Sequence, residues 1–394
     1  MMRRLLYLVP AALALLLIGI VVAAQESNPT AATTITVTSS GDDYTDGKSK
    51  KCSDVPADEC TLRRAINQAY PLSVGSRPVT IAFDIPTTDP GYDAALRVWK
   101  IQLTGTSAYD LRELYGQTIV DGSTQAGGRA TGPKIIIDGQ NNHNMGLILR
   151  QNDNVLRGLA FQNFKDTHVS ISSDNNLIEE CWFGLSDDGT TLSSGSDTEP
   201  ELDSGVAIAA GADDNTIRKN VFAGFTGASV AIRSNRNLFS GNMIGTNASG
   251  TVPLPPHFDK HPCQYGAWTG GSGITVSGND HQVGGPTAAE GNLFAGLYLN
   301  VGPTTNQGPA MDVSGQGHLI QNNVIGLDSR GKAVGVCGQG ISLLDGPAEM
   351  VVLENAIVEP GLSGIMANHW TFNGNTLQGN IVKRASQWPG VQPG

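Results

Sequence analysis

Charged residues are scarce in this sequence, and basic residues are the scarcer kind. Only 15% of the 394 residues are charged, with 25 Lys and Arg against 36 Asp and Glu, which gives a formal net charge of −11. No basic block occurs outside the extreme N-terminus, so we expect no nucleic-acid partner. Because 39% of the residues are hydrophobic and 49 are glycine, the chain is too apolar for disorder and too glycine-rich for ordinary helical packing.

Cysteine is also rare, and its five copies never form a CxxC pair. This argues against a zinc site built on sulfur, so we predict no metal site. Five cysteines fit an oxidising compartment without a disulfide-dominated fold. Cys52 and Cys60 bracket a short, charged segment and are predicted to form a disulfide. Cys263 and Cys337 lie in polar stretches and are predicted to form a second one, whereas Cys181 falls at an interior position of the repeat described below and is expected to be a free thiol.

The N-terminus has the pattern of a secretion signal. Two arginines precede an apolar run from Leu5 to Val22, and the small residues Val22 and Ala24 suit a signal peptidase. We therefore predict a signal peptide over residues 1–24, a linker over 25–33, and export to the cell surface or the extracellular space. Retention of the run as an uncleaved membrane anchor stays open as an alternative.

A six-residue phrase recurs along most of the chain. Its starting positions are separated by about 22 residues or by that spacing plus a loop insertion, and a period of this length is typical of a solenoid. Most copies end in Asn. The copies are "NVLRGL" from Asn154, "NLIEEC" from Asn176, "NTIRKN" from Asn215, "NLFSGN" from Asn237, a longer one from His281 to Asn292, "HLIQNN" from His318, "MVVLEN" from Met350 and "NTLQGN" from Asn375.

The segments around each phrase predict three strands per repeat. An alternating segment such as "VSIS" or "VAIA" precedes the phrase, the phrase itself holds a second short strand, and "VFAG" or "VIGL" forms a third. Three parallel strands per coil give an all-β, right-handed parallel β-helix. The closing Asn is expected at a tight corner, where it adopts a left-handed backbone and bonds to the Asn of the next coil. The predicted ladder comprises Asn220, Asn242, Asn292, Asn323, Asn355 and Asn380. Leucine-rich repeats share the period, but their invariant leucines are missing.

Three glycine-bounded turns follow the third strands: "GLSDDG", "GTNASG" and "GLDSRG". We interpret them as turns from which the outward loops leave the coil. They lack the spaced D-x-D-x-D-G pattern of a calcium loop, so no cofactor is predicted. Weak calcium binding by the acidic insertion that contains Asp187, Asp188, Asp197, Glu199, Glu201 and Asp203 remains an alternative to a solvated loop.

The first third of the chain carries a further signature, "DECTLRRAINQAY", followed by "VTIAFDIP" and "TIVDGSTQAGG". It resembles the Cys-Ser-Leu-Arg-Glu-Ala-Ile opening of exported bacterial right-handed parallel β-helix proteins, although Thr61 replaces the Ser and Arg64 the Glu. In those proteins such a segment caps the first coil. The resemblance implies a cap and irregular first coils over residues 34–130, β-helix repeats over 131–386 and a tail over 387–394. The cap helix would turn an apolar face toward the open end of the helix, formed by Leu62, Ala65, Ile66 and Ala69.

The resemblance leaves function open, because β-helices include surface proteins as well as polysaccharide lyases, hydrolases and epimerases. In the catalytic members, substrate lies along the outer face of the first strand. That face has one carboxylate here, Asp312, with Arg233 as a basic residue, whereas glycoside hydrolysis needs two carboxyl groups. The loop at 252–271 is the best candidate for ligand binding, because aromatic rings stack on sugars and histidines exchange protons. It contains His257, Asp259, His261, Tyr265 and Trp268.

We therefore predict an exported, monomeric β-helix protein that is structural, adhesive or in contact with a polysaccharide or a cell-surface glycan, without assignable catalysis. The alternative is a polysaccharide lyase or glycoside hydrolase that uses the 252–271 loop and Asp312, with Arg233 stabilising negative charge. A rigid scaffold without a ligand is the third hypothesis. Membrane contact is expected only if the N-terminal segment is retained.

Overall fold

The structure, a computed structural model, describes residues 33–72, 74–106, 110–193, 204–225, 227–254, 272–297, 309–367 and 374–383. Within these ranges the chain forms the predicted right-handed parallel β-helix, built from three long sheets. Strands are numbered in chain order. The predicted signal peptide, nearly all of the linker and the tail lie outside the described residues. No helix in the described ranges has the length and apolarity that a membrane span requires.

From β7 onward, each coil contributes one strand to each sheet. Sheet I has eight strands: β7 (Met145–Leu149), β10 (Thr167–Ile171), β13 (Ser204–Ile208), β16 (Val230–Asn235), β19 (Ile274–Asn279), β22 (Met311–Gln316), β25 (Ile341–Ala348) and β28 (Ile365–Ala367). Sheet II has eleven: β1 (Thr33–Val37), β2 (Val79–Phe83), β5 (Thr118–Asp121), β8 (Val155–Arg157), β11 (Leu177–Glu179), β14 (Thr216–Arg218), β17 (Leu238–Ser240), β20 (Gln282–Gly284), β23 (Leu319–Gln321), β26 (Val351–Leu353) and β29 (Thr376–Gln378).

Sheet III also has eleven strands, and its only antiparallel pair among the described residues joins β3 and β4. The strands are β3 (Tyr92–Asp93), β4 (Val98–Gln102), β6 (Ile135–Asp138), β9 (Leu159–Gln162), β12 (Trp182–Phe183), β15 (Val221–Phe222), β18 (Met243–Ile244), β21 (Leu293–Phe294), β24 (Val324–Ile325), β27 (Ala356–Val358) and β30 (Ile381–Lys383). Sheets II and III thus begin well before residue 131, where the regular repeats were expected to start.

The core is a continuous column of apolar side chains, because the strands pair in register and place equivalent residues above one another. Phe161, Phe183 and Phe222 show this arrangement in sheet III, where β9, β12 and β15 pair residue for residue. Their rings stack at centroid distances of 5.2 and 4.7 Å. The period-two patterning of the sequence therefore corresponds to an inward-facing residue in every strand.

One α-helix, α1 (Leu62–Ala69), packs against β1 and β2 near the first coil. Its predicted apolar face is buried, with Leu62, Ala65, Ile66 and Ala69 each at most 2% exposed. The opposite face is buried as well, which the amphipathic pattern did not indicate. Arg63 and Arg64 on that face form ion pairs with Asp42 and Asp46, each at 2.6 Å.

The segment that covers this second face is the charged stretch between β1 and α1. It contains three short 3₁₀ helices, Tyr44–Asp46, Cys52–Asp54 and Ala57–Glu59. The predicted disulfide between Cys52 and Cys60 is present and joins the second of these 3₁₀ helices to a position two residues before α1. The covering segment thus buries the two arginines by supplying their carboxylate partners, because an unpaired buried guanidinium would be costly.

A file of asparagines runs along the corner between sheets II and III, and we call it the first polar file. In each coil the amide Nδ2 donates to Oδ1 of the next asparagine, from Asn220 to Asn242 at 3.1 Å and from Asn292 to Asn323 at 2.8 Å. The file contains Asn220, Asn242, Asn292, Asn323, Asn355 and Asn380.

The expected left-handed backbone at these asparagines is wrong. The residue with positive φ is the one before the asparagine, as at Lys219 (56°), Asn322 (56°) and Glu354 (53°). That residue turns the corner, and the asparagine then enters the third strand with its amide directed along the helix axis. Cys181 occupies the same file, and its N–H donates to Asn220 Oδ1 at 2.9 Å. As predicted, Cys181 is a free, fully buried thiol, and burial raises its pKa to about 12.

A second polar file, which the sequence analysis missed, runs along the corner between sheets I and II. It consists of the residues that open each repeated phrase, and each backbone N–H donates to the side chain of the next coil. The pairs include Asn154 N–H with Asn176 Oδ1 at 2.9 Å and Asn237 N–H with His281 Nδ1 at 3.1 Å. Its described members are Asn154, Asn176, Asn215, Asn237, His281, His318 and, after Met350, Asn375.

Candidate functional site

Three stacked turns follow the third strands of their coils, and they correspond to the glycine-bounded sequences "GLSDDG", "GTNASG" and "GLDSRG". The first glycine of each has positive φ, at 75°, 78° and 83° for Gly184, Gly245 and Gly326. A Cβ atom there would also collide with a carbonyl oxygen of the next coil. Glycine is therefore required where the chain leaves the third strand.

Each turn folds back on itself and rests on the turn two coils further along, because the turns follow the alternate strands β12, β18 and β24 of sheet III. Antiparallel bridges close the turns, for example between Leu185 and Leu192. Between turns, Ala248 N–H donates to Gly189 O at 2.9 Å, and Ser329 N–H donates to Gly250 O at 2.8 Å. The three turns, residues 184–193, 245–254 and 326–335, thus form a continuous rib beside sheet III, which we call the turn rib.

A cleft of about 770 Å³ lies between the first two turns of the rib and the segment 129–134 that precedes β6. Its floor is the outer face of β12, β15 and β18. Trp182, Val221 and Met243 stand on this floor in one register file, each above the next. We call this the Trp182 cleft. In the sequence, this cleft is indicated by apolar residues at outward-facing positions, which would be polar in a fully solvated sheet.

The indole of Trp182 is held in place from several sides. The ring is in close contact with Gly132 and Gly189, where any Cβ atom would collide with it. The Arg129 guanidinium lies over the ring, 4.3 Å from its centroid. Val221 and Ala248 pack around it in a small outer hydrophobic cluster. Trp182 is therefore half-buried and rigidly positioned at the cleft surface.

Basic side chains outnumber acidic ones in the lining of the Trp182 cleft. Arg129, Lys134 and Lys219 face Glu180 and Asp188. This excess is local, because the whole chain carries a net charge of −11.

Arg129 has few hydrogen bonds for a half-buried guanidinium. Its Nη1 donates to the backbone oxygen of Asp187, but Nε and Nη2 are shielded from solvent and have no hydrogen-bond partner in the described part of the chain. Burial lowers the pKa of Arg129 to about 10, against the opposing effect of Asp187 and Asp188.

A second, more polar cleft of about 600 Å³ lies on the other side of the first turn. Asp187 at its centre forms an ion pair with Lys100 at 2.6 Å and accepts a hydrogen bond from Gln162 Nε2 at 2.9 Å. Its side chain is only 25% exposed, so the interpretation of this acidic stretch as a solvated loop is wrong for Asp187. Asp197, Glu199, Glu201 and Asp203, the other acidic residues of the insertion apart from Asp188, lie outside the described residues.

The predicted site on sheet I has the expected file of outward residues, in which Ala231, Thr275, Asp312 and Ser342 pair in register. Arg233 belongs to a different file, since it pairs with Ser277, and it is two coils away from Asp312. Strand spacing and rise put their Cα atoms about 12 Å apart. The described structure therefore does not bring Arg233 and Asp312 together.

The remaining candidate residues cannot be placed on this surface. His257, His261, Tyr265 and Trp268 lie outside the described residues, as does Cys263. Cys337 is in a disulfide bond, and its predicted pairing with Cys263 stays a prediction. Among the described residues, no three His, Cys, Asp or Glu side chains converge closely enough to hold a metal ion.

No protein-family model and no curated protein matches this chain. Among solved structures it is similar to a protein of Geobacillus virus E2, with 13% identity, a TM-score of 0.41 and coverage of 77% of this chain and 48% of that one. It is also similar to the tailspike protein of E. coli bacteriophage HK620 in complex with a pentasaccharide (14%, 0.34, 77% and 54%) and to endopolygalacturonase I from Stereum purpureum complexed with two galacturonate (12%, 0.29, 78% and 89%). The chain spans about half the length of the first two. At these identities the likeness concerns the fold alone.

Proposed function

We propose that this protein is an exported β-helix protein that binds a glycan in the Trp182 cleft without cleaving it. The observation that carries the proposal is the half-buried indole of Trp182, fixed on a rigid sheet and surrounded by hydrogen-bonding groups. Carbohydrate sites combine an aromatic ring, on which the apolar face of a sugar packs, with polar groups that fix its orientation.

The neighbouring polar cleft extends the same surface. Lys100, Gln162, Asn163 and Asp138 line it, and the two clefts share Asp188 at the first turn. Two adjoining clefts along the helix axis suit a chain of several sugar units better than a single small molecule. Because both clefts are built on paired strands, little conformational entropy would be lost in ordering them on binding.

Binding without cleavage is favoured because a carboxylate beside the clefts already has two partners. Asp187, one of the carboxylates between the two clefts, is committed to Lys100 and Gln162. Glycoside hydrolysis requires one carboxyl group that carries a proton as general acid and a second one across the bond. A carboxylate that Lys100 and Gln162 already hold is not free to act on a bound sugar.

Affinity electrophoresis of the mature protein through gels that contain single polysaccharides tests this function. We expect retardation by at least one acidic or neutral polysaccharide, loss of that retardation in Trp182→Ala, and no new reducing ends or unsaturated products after incubation. Tyr115→Ala removes an exposed aromatic ring outside the cleft and serves as the matched control. Retardation that is equal in wild type and Trp182→Ala contradicts the site, and cleavage products contradict the absence of catalysis.

A further inference from the structure

We propose that the Trp182 cleft selects acidic saccharides, and that the carboxylate of the bound sugar pairs with the Nε and Nη2 edge of Arg129. This inference rests on the proposed glycan binding and adds the chemical class of the ligand, a uronate or another carboxylate-bearing sugar. It follows from the state of Arg129, from the other charges of the cleft and from the position of the guanidinium on the indole.

Among the described arginines, buried side-chain donors without a partner occur at Arg129, with Nε and Nη2, and at Arg112, with Nε, whereas the buried Arg77 is well bonded. Arg77 donates from Nη1 to Gly116 O at 2.7 Å and to Thr118 Oγ1 at 2.9 Å, and from Nη2 to Ala69 O at 2.6 Å. Arg129 makes one such bond, from Nη1. Leaving charged donors buried without partners is costly, so a site that keeps them in this state is suited to a ligand that supplies the acceptors.

Half of the twelve arginines in the described residues have a carboxylate within 4.0 Å, and Arg129 is not among them. The paired ones are Arg63, Arg64, Arg157, Arg218, Arg236 and Arg330. Lys219, exposed at the rim of the same cleft, also forms no ion pair with a described residue. The cleft thus offers two positive charges, on Arg129 and Lys219, that no carboxylate of the described residues pairs.

The geometry of the guanidinium matches a carboxylate. Nε and Nη2 lie on one edge of the planar group, and two parallel N–H donors on such an edge bind the two oxygens of a carboxylate in bidentate fashion. In the free protein this guanidinium covers the indole of Trp182. Movement of Arg129 toward the carboxylate would expose the two N–H groups and uncover the indole, on which the sugar ring can then pack.

The test uses polygalacturonate and the galactan obtained from it by carboxyl reduction, two polymers that differ only in the acidic group. Wild-type protein is expected to bind polygalacturonate at least about 10-fold more tightly, since a hydrogen-bonded charged pair contributes about 1.5 to 3 kcal/mol. General electrostatic attraction does not predict this preference, because a protein with a net charge of −11 repels a polyanion on average. Equal binding of the two polymers, or binding of neither, overturns this inference, whereas the proposed function is decided by the wider set of polysaccharides described above.

Variants of Arg129 separate the effect of its two parallel N–H donors from the effect of its positive charge alone. Arg129→Met is expected to lose about 10- to 100-fold in affinity for polygalacturonate and to change affinity for the reduced polymer by no more than about twofold. Arg129→Lys keeps the positive charge without the two parallel N–H donors, so its affinity for polygalacturonate should lie between those of wild type and Arg129→Met. Arg233→Met removes the same charge from the outer face of sheet I and is the matched control. A loss in Arg233→Met as large as that in Arg129→Met overturns the inference.

Tryptophan fluorescence of the wild-type protein tests the same inference if Arg129→Met does not fold. Uncovering Trp182 should change the tryptophan fluorescence when galacturonate oligomers are added, and the change should disappear in Trp182→Phe. Oligomers that bind without a fluorescence change, or with the same change in Trp182→Phe, contradict the movement of Arg129 away from the indole.

Discussion

Two neighbouring histidines in the second polar file should make the β-helix sensitive to mild acid. Asn237 N–H donates to Nδ1 of His281, and His281 N–H donates to Nδ1 of His318, both at 3.1 Å. The Nε2 atoms face the carbonyl oxygens of Ser277 and Ser314 at 3.3 and 3.1 Å. The neutral Nε2–H tautomer therefore satisfies both rings, whereas a second proton on Nδ1 would point at a backbone N–H group.

The size of the effect follows from the pKa of His318. Burial and the stacked His281 ring together lower this pKa to about 4 from 6.5, against the opposing effects of the hydrogen bond to the Ser314 carbonyl and of Asp280. Burial also lowers the pKa of His281, which Asp213 opposes. Because the unfolded state binds the proton more tightly, stability is fully present above pH 6.5 and falls as the pH drops toward 4. For His318 alone, linkage gives a loss on the order of 2 to 3 kcal/mol at pH 4.5.

His318→Asn isolates this contribution, because Asn fills the same position of the file in other coils, as at Asn215 and Asn237. We expect the free energy of unfolding, measured by circular dichroism in denaturant, to match wild type within about 1 kcal/mol at pH 7.5. At pH 4.5 the variant should be more stable than wild type by about 2 to 3 kcal/mol. His168, whose pKa burial lowers to about 3, titrates in both proteins and cancels in the comparison. A parallel loss of stability in the two proteins between these pH values would refute the reasoning.

Three further predictions concern the elements that stack the coils. Asn323→Ala should lower the free energy of unfolding by about 2 to 4 kcal/mol in denaturant titrations, because it leaves the buried N–H of Asn292 without its acceptor; a loss below about 1 kcal/mol would contradict this. Gly245→Ala should destabilise more than Gly331→Ala, since both have positive φ but only Gly245 has no room for a Cβ atom; equal midpoints of thermal unfolding would contradict the steric argument. Burial alone would raise the pKa of Glu179, but hydrogen bonds from Arg218 and Arg157 hold it below its usual value. Glu179→Gln should therefore cost about 1 to 2 kcal/mol at pH 7 and progressively less as the pH falls toward that pKa, and a cost that is independent of pH would contradict the role of its charge.

The fold was predictable because its physical causes repeat in the sequence. Strand alternation and the spacing of the phrases are set by the coil, so every repeat is an independent copy of the same signal. The second polar file was not predicted, because the opening positions of the repeated phrase hold different residue types, Asn, His and Met. Nδ1 of His281 accepts a hydrogen bond from the backbone N–H of Asn237, just as Oδ1 of Asn237 accepts one from the backbone N–H of Asn215. The file is therefore defined by an acceptor atom at the same place in each coil, which either Asn or His can supply.

The backbone geometry at the corners was misassigned for a related reason. Asparagine tolerates positive φ, and its abundance at the corners suggested that it occupies that conformation. In the structure Lys219 has positive φ and Asn220 supplies the hydrogen bonds. The turning residue varies freely in type because it faces solvent. The asparagine recurs because its amide must satisfy buried backbone groups in two coils.

The Trp182 cleft was not predictable from the repeat because it lies where the repeat is interrupted. The coil of β9 passes to β10 through residues 163–166 and lacks the glycine-bounded turn that follows β12, β18 and β24. The turn rib therefore begins one coil later, and the outer face of sheet III is left open beside Trp182, with Gln162 in the adjoining cleft. Arg129 reaches this gap from an earlier coil. A glycine-bounded turn inserted after Gln162 would extend the rib across both clefts, so it should abolish glycan retention while leaving the strand register unchanged.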